Sequence, residues 1–383
     1  MTKTQKPREE PTSLMGRLLR GAYWYGAEWY WTVTGGILLV LIIAITIFAP
    51  VLSPYDPIVT VGGPFERPGG GQIVLLAPKD SGITAVQKGL KVAVFYNTTA
   101  AVVADQYGLT ARPYQVDKDL FAKVRAGEAQ AVLISARDAQ QALQQNPDFE
   151  QVGKPFGPHF ILGTDNLGRD ILSRLIWGAR AVLAVAILSA LFSAAIGVPL
   201  GLLSGFFGGW FDRVLSLVMD SVYSFPGLIL AIAVAAVLGT GVVNIAIAIS
   251  VVYIPTYFRM TRSQVLSIKE ELYVEAARAL GAKQREILGM YIFPNVISTL
   301  VVVFSLNVAD AILTEAGLAF LGLGLQPPTP DWGFDLNKGK AYLPRGYWWP
   351  ITFPGMMITF VALGFSLLGE GLGEILNPRL TEE

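Results

Sequence analysis

Six stretches of this chain are each apolar for about the length of a bilayer crossing, and that repetition constrains the fold more than any other feature. A spanning helix needs about 20 mostly apolar residues. Runs at 34–52, 180–203, 214–238, 242–260, 295–321 and 350–372 meet that requirement. Helix is the expected form, because lipid gives an open backbone no hydrogen-bond partner. Composition argues against reading the runs as buried helices of a soluble protein. The chain is 52% hydrophobic and 15% charged, whereas soluble domains carry about 25% charged residues. The balance of 29 Lys+Arg against 29 Asp+Glu also argues against a basic nucleic-acid binder, so no nucleic-acid partner is expected. There is no Cys and a single His, His159. Thiolate metal sites, disulfide scaffolds and a cysteine nucleophile are excluded, and no metal site is expected. His159 is read as a capping or packing residue. The expected fold class is an all-α polytopic membrane protein with a small α/β insert.

Lys and Arg in short flanks orient such a chain. Lys3, Lys6, Arg8, Arg17 and Arg20 precede the first run; Arg259, Arg262, Lys269, Arg278, Lys283 and Arg285 follow the fourth; Arg379 follows the last. Six crossings put all three regions on one side, read as the cytoplasm. The organisation is then a cytoplasmic or interfacial segment at 1–33, a first crossing at 34–52, an extracytoplasmic linker and insert at 53–160, and a core of five crossings at 161–383. A helix-like stretch lies at Leu14–Tyr25. Residues 165–178 read as an interfacial amphipathic helix, with Ile171, Leu172, Leu175 and Ile176 on one face. Pro226 and Pro255 are expected to kink the third and fourth crossings.

The insert differs in kind. Residues 53–71 are rich in Pro and Gly, and 72–157 read as soluble α/β. Strand-like runs at 72–77, 91–96, 112–116, 130–135 and 149–153 alternate with helix-like runs at 98–107, 117–126 and 136–145. That alternation favours a sheet with helical crossovers.

The loop at 261–292 carries the clearest functional pattern. Leu272, Ala276 and Leu280 recur at i, i+4, i+8, flanked by Tyr273 and Ala277, which makes one apolar face on a short helix. Gly281 permits a helix end there. Such a helix, joined stiffly to crossings on both sides, is a mechanical plug or a plain solvated connection. Charged residues inside crossings are costly and default to functional hypotheses. Asp220, Asp310 and Glu315, with Asn307 nearby, line a pathway, gate it, or hold helices together. No G-x-x-x-x-G-K-[ST] loop for ATP phosphates is present, and no catalytic constellation is found.

Glu275-Ala276-Ala277, then Gly281 and Pro294, resembles the EAA loop of ABC-importer permeases. Leu162–Asp170 and Leu313–Gly324 followed by Gln326–Pro330 resemble segments of the dipeptide, oligopeptide and nickel permeases. The resemblance implies a non-enzymatic permease subunit in a bacterial or archaeal inner membrane, with peptide cargo or another solute such as a nickel chelate. It implies four kinds of partner: a second permease, two ATPase subunits, an extracellular binding protein and the lipid. No cofactor is expected in this chain; ATP and Mg belong to the ATPases. It assigns ATPase coupling to Leu272, Tyr273, Glu275, Ala276, Ala277, Leu280 and Gly281. A membrane-anchored ligand receptor is the rival from another class.

The insert resembles one lobe of an amino-acid-type extracellular binding protein, through Gly89–Val94, Asn97–Ala100, Gly127–Val132 and Val152–Phe156. The resemblance implies a ligand carboxylate at Thr98 and Thr99. Ser135 stands where the family has an acidic residue for the ligand ammonium, with Asp138 a turn later. A lone lobe then docks the binding protein, caps the pathway, or holds a substrate fragment.

Overall fold

The computed structural model describes residues 27–375. The Leu14–Tyr25 stretch, the basic residues of the N-terminal arm and Arg379 lie outside the described residues. Among the described residues five single helices are long and apolar enough to cross a membrane: Trp29–Ile47, Ile171–Phe207, Val242–Ile268, Gln284–Phe320 and Trp349–Gly373. One further pair of helices, Gly209–Tyr223 and Gly227–Leu238, is long and apolar enough only when taken together, and it is bent by 90° at the break. The break falls at Pro226, which has no N–H to donate and clashes with the preceding turn. Pro255 instead lies within a helix that continues through it to Ile268.

Two expectations need correction. Residues 165–178 are not a separate interfacial helix: helix begins at Ile171 and runs unbroken for 37 residues to Phe207. The start is set by Asp170, whose Oδ2 accepts the Ser173 N–H at 2.7 Å and the Ser173 hydroxyl at 2.6 Å, an N-terminal cap. The connection after the fourth crossing is also shorter than 261–292, because helix persists to Ile268 and resumes at Leu272 and Gln284.

The chain divides into two compact units. Among the described residues the first holds 27–43, Leu183–Glu315 and 359–375. Its helices approach closely through small residues. A Cβ on Gly197 would lie 2.6 Å from the Tyr257 Cβ, one on Gly201 2.6 Å from the Phe258 carbonyl oxygen, and one on Gly205 2.9 Å from the Val265 Cβ. The spacing of four puts all three glycines on one helix face, the small-residue seam by which helices associate in lipid.

The second unit holds Ala44–Val182 and Ala316–Ile358. Its insert is a five-stranded sheet: β1 Ile73–Pro78, β2 Lys91–Phe95, β3 Thr110–Tyr114, β4 Ala131–Ser135 and β5 Phe149–Phe156. The order is β3-β2-β4-β1-β5. β2 is parallel to β3 and β4, and β1 is antiparallel to β4 and β5. Alternate side chains feed two cores. Leu75, Val92 and Leu133 pack with the Thr99–Ala104 helix; Leu76, Ala93 and Val132 pack with Leu120–Arg125 and the start of Ala139–Gln145. The expected α/β insert is present, with a mixed sheet.

The same unit contains a polar collar. Asp165 accepts the Leu167 and Arg169 N–H groups and the Arg169 Nε, at 2.8, 3.0 and 2.7 Å. Arg174, 2% exposed, reaches both oxygens of Asp335 at 3.0 and 2.6 Å and donates to the Pro57 carbonyl at 3.1 Å. Fully buried Trp332 donates to the Leu175 carbonyl, and Trp349 to that of Thr164. His159 takes part through its backbone N–H, which donates to the Tyr55 hydroxyl at 2.9 Å.

Candidate coupling site and intramembrane charges

The helix Leu272–Ala279 is eight residues long, too short to be stable alone in water. Two buried side chains hold it. Val274 is 0% exposed and joins a cluster with Val265, Ile287, Ile292 and Val296, which Leu202 and Phe206 also pack against; Ala277 is 6% exposed. The cluster thus ties the short helix to the helices that precede and follow it and to Ile171–Phe207. At its C-terminal end Gly281 has φ +85°. The Gly281 N–H donates to the Arg278 carbonyl and the Ala282 N–H to that of Ala277, both at 3.0 Å. This double closure is a Schellman motif, which needs a left-handed residue at Gly281.

The opposite face is bare. Leu272 is 81% exposed and Leu280 89%, and Glu275 and Ala276 are exposed as well. Tyr273 is half-exposed, and its hydroxyl accepts the Asn295 side-chain amide at 3.2 Å. Burial, with the charge of Glu271 added, pushes the Tyr273 phenol above its ordinary value. The following residues Ile287–Ile292 form a π-helical turn before Phe293–Phe320. Such turns are rare and occur often at functional sites. Sequence pattern locates Leu272, Ala276 and Leu280 on the bare face but needs correction at Ala277, which it assigns to that face and which is buried with Val274; it misses Val274 as the anchor, since a lone Val between Tyr273 and Glu275 gives no periodic signal. It also misses the π turn.

The intramembrane charges do not form one constellation. Asp220 pairs with Arg259 at 2.7 Å, and that guanidinium lies 4.0 Å from the Tyr223 ring centroid. Asn307 and Glu315 are buried; Asp310 is exposed. A helix sets positions 310 and 315 about 140° apart, so one helix presents them to different surroundings. A denser knot went unnoticed in the sequence. Asp212 accepts from Arg262 Nε and Nη2 at 2.5 and 2.7 Å and from the Ser204 hydroxyl at 2.5 Å, joining three helices. Its signal was one acid and one Arg at opposite ends of two apolar runs, which pattern alone does not pair.

In the insert, the Thr98 hydroxyl donates to the Phe95 carbonyl at 2.8 Å. Thr99 is buried; its hydroxyl accepts the Gly63 N–H at 2.9 Å and donates to Glu66 at 2.5 Å. The linker thus occupies the Thr99 hydroxyl, which is a correction to reading Thr99 as an open ligand contact. Ser135 accepts the Arg137 N–H at 3.4 Å.

Residues 197–382 match the family of binding-protein-dependent transport system inner membrane components, and residues 31–67 match the N-terminal transmembrane domain of oligopeptide transport permease C. The glutathione transport system permease protein GsiD of Pectobacterium atrosepticum is 42% identical over 234 residues, which cover 61% of this chain and 77% of that one. GsiD of Escherichia coli O6:K15:H31 is 42% identical over 221 residues, covering 57% and 72%. The chain belongs to this permease family. Among solved structures, an inward-facing MetNI methionine ABC transporter chain is 20% identical with TM-score 0.45, covering 54% of this chain and 98% of that one. Holo ArgBP from T. maritima is 23% identical with TM-score 0.23, covering 26% and 46%. As a permease subunit of a binding-protein-dependent importer, the chain is a multi-pass inner-membrane component and is not itself an enzyme. Nucleotide is bound in separate ATPase subunits, and a substrate-binding protein delivers cargo.

Proposed function

We propose that this permease forms one half of the translocation pathway of an importer for peptide-class solutes, paired with a second permease, and that Leu272–Ala279 is the element its ATPase grips. The observation that carries the coupling role is the two-faced helix. Val274 and Ala277 bind it into the helices around it, while Leu272 and Leu280 stand bare. Large exposed apolar side chains on an element anchored by its other face suit a partner groove. Movement of the bound partner then passes through the Val265–Val274–Ile287 contacts to the crossings, a coupling through shared packing. The relatives named as glutathione permeases and the match to oligopeptide transport permease C support a peptide-class cargo.

On this reading the 269–292 region is cytoplasmic and the insert lies outside. Asp310 is assigned to the pathway side of its helix, Asn307 and Glu315 to the packed side, and Asp220 with Arg259 to a surface pair that adjusts during gating. Affinity purification from the native membrane in mild detergent, with partners identified by mass spectrometry, tests the proposal. A second permease and ATPases are expected. Recovery without ATPases, under conditions that preserve other ABC complexes, contradicts it.

A further inference from the structure

The helix Gly209–Tyr223 has two contrasting sides. Asp212, Ser216, Asp220 and Ser224 recur every fourth residue, and that spacing sets them in one stripe along the helix. On the far side Trp210, Val214 and Val218 are exposed and apolar. The stripe lines a groove of about 580 Å³, with Arg213 beside it and Arg262 of Val242–Ile268 across it. That volume lies within the range of small-molecule sites. Charged groups on helices of an apolar chain are costly toward lipid, and they mark water-filled cavities and substrate paths. The apolar side suits lipid, and the striped side suits water.

Two acid–arginine pairs join the stripe to Val242–Ile268, and they differ in kind. Asp212 accepts from two nitrogens of Arg262 and from the Ser204 hydroxyl. With its side chains 15% and 32% exposed, that pair is an anchor. Asp220 and Arg259 are joined, among the described residues, by one hydrogen bond of 2.7 Å, and their side chains are 60% and 42% exposed. A pair so exposed is weak in water and exchanges partners at little cost. Its arginine is still held in place, because the guanidinium lies 4.0 Å from the Tyr223 ring centroid, a cation–π contact. A guanidinium fixed in this way presents a planar fork that fits a carboxylate. Asp220, once released, accepts from an ammonium. Movement reaches the pair through Val265, which follows Arg262 by about one turn and shares an apolar cluster with Val274 of the short helix.

We infer that the stripe from Asp212 to Ser224 lines a water-filled stretch of the cargo path, and that the Asp220–Arg259 pair opens to take the charged ends of a passing peptide. The ammonium goes to Asp220 and the carboxylate to Arg259, while the Asp212–Arg262 pair keeps the wall in place. The inference rests on the function proposed above, in which this end of Val242–Ile268 is cytoplasmic and is where cargo leaves.

The chain has no Cys, so single cysteines report which side of the helix meets water. Ser216→Cys, Ser224→Cys, Val214→Cys and Val218→Cys are placed one at a time in the importer reconstituted with its partners. Labelling of this chain by a cationic and an anionic methanethiosulfonate is followed by mass spectrometry. The two stripe positions are expected to label about tenfold faster or more than the two apolar positions, since a thiol in apolar surroundings is unreactive. Trialanine and S-methylglutathione are then tried separately as protectants of Ser224→Cys. At least one slows labelling saturably, whereas N-acetyl-trialanine amide, which carries neither charge, does not. Asp220→Asn removes the protection and Asp220→Glu keeps it. Equal labelling of the two sides overturns the water-lined path. Protection by neither peptide, equal protection by the capped compound, or unchanged protection in Asp220→Asn overturns the exchange. ATPase association and ATP-driven uptake are scored on the same preparations, and retained association shows that each variant is folded. Their absence with the unsubstituted chain contradicts the importer reading and this inference with it; their presence beside equal labelling contradicts this inference alone.

Discussion

The polar collar around Arg174 and the short helix at Leu272–Ala279 are both small structures joined to long apolar helices, but different forces hold them. The collar is secured by buried charge: Arg174 is 2% exposed and spans Asp335 and the Pro57 carbonyl. The short helix is secured by two apolar side chains, Val274 and Ala277, and a glycine closure. Buried ion pairs require near-complete satisfaction and tolerate little displacement. A few apolar contacts let a helix shift while remaining attached. The first arrangement suits a static support for the insert, the second an element that transmits movement.

The comparison is broken most severely at Arg174. Arg174→Ala leaves the Asp335 side chain, 13% exposed, without its partner and is expected to cost about 3 kcal/mol, read as a large fall in the melting temperature of the detergent-solubilised protein. Replacing both members, Arg174→Met with Asp335→Leu, is expected to recover most of that loss, because paired apolar replacements of similar volume are often neutral. Equal damage in the single and double variants would show that the charge pair is not what holds the collar.

Val274→Ala probes the other arrangement. Removing its two methyl groups from the Val265–Ile287 cluster is expected to cost about 2 kcal/mol. Hydrogen exchange in Leu272–Ala279 is expected to rise more than exchange in the insert strands. Uniform acceleration across the chain would mean that the short helix is not a separately anchored element. Gly281→Val has open space around its Cβ but keeps φ at +85°, so its expected cost of about 1–2 kcal/mol is backbone strain alone. Gly281→Asn is expected to cost less, since Asn tolerates the left-handed region.

Acid sharpens the contrast with a smaller effect. Lys123 holds the Glu128 carboxyl below its ordinary range, and Arg125 does the same for Asp148. Groups with lowered folded values contribute stability above their unfolded pKa and lose it as pH falls through the folded one. Protection of the insert strands is therefore expected to decline in acid below the ordinary carboxylate range, and to decline less in Glu128→Gln. An identical acid profile in that variant would place the sensitivity elsewhere.

Much of this was readable in the residues. The six apolar runs and the alternating insert pattern report local periodicity, and periodicity survives folding. Boundaries were less legible, because a cap decides them. Asp170 and Ser173 start a helix at Ile171, and nothing apolar marks that point. Long-range pairs were least legible: Arg174 and Asp335 lie 161 positions apart, and neither has a neighbour in sequence that announces the other. At the candidate site the i, i+4, i+8 pattern of Leu272, Ala276 and Leu280 located an apolar face. Its direction depended on Val274, whose burial only the surrounding helices could reveal.

The most direct test of the account is coupled transport by the reconstituted importer carrying Leu272→Ser and Leu280→Ser in this chain. Both side chains are bare, so the variant is expected to fold with unchanged thermal stability while losing ATPase association and ATP-driven uptake together. Full uptake with normal ATPase association would contradict the claim that this face is where the ATPase holds the permease.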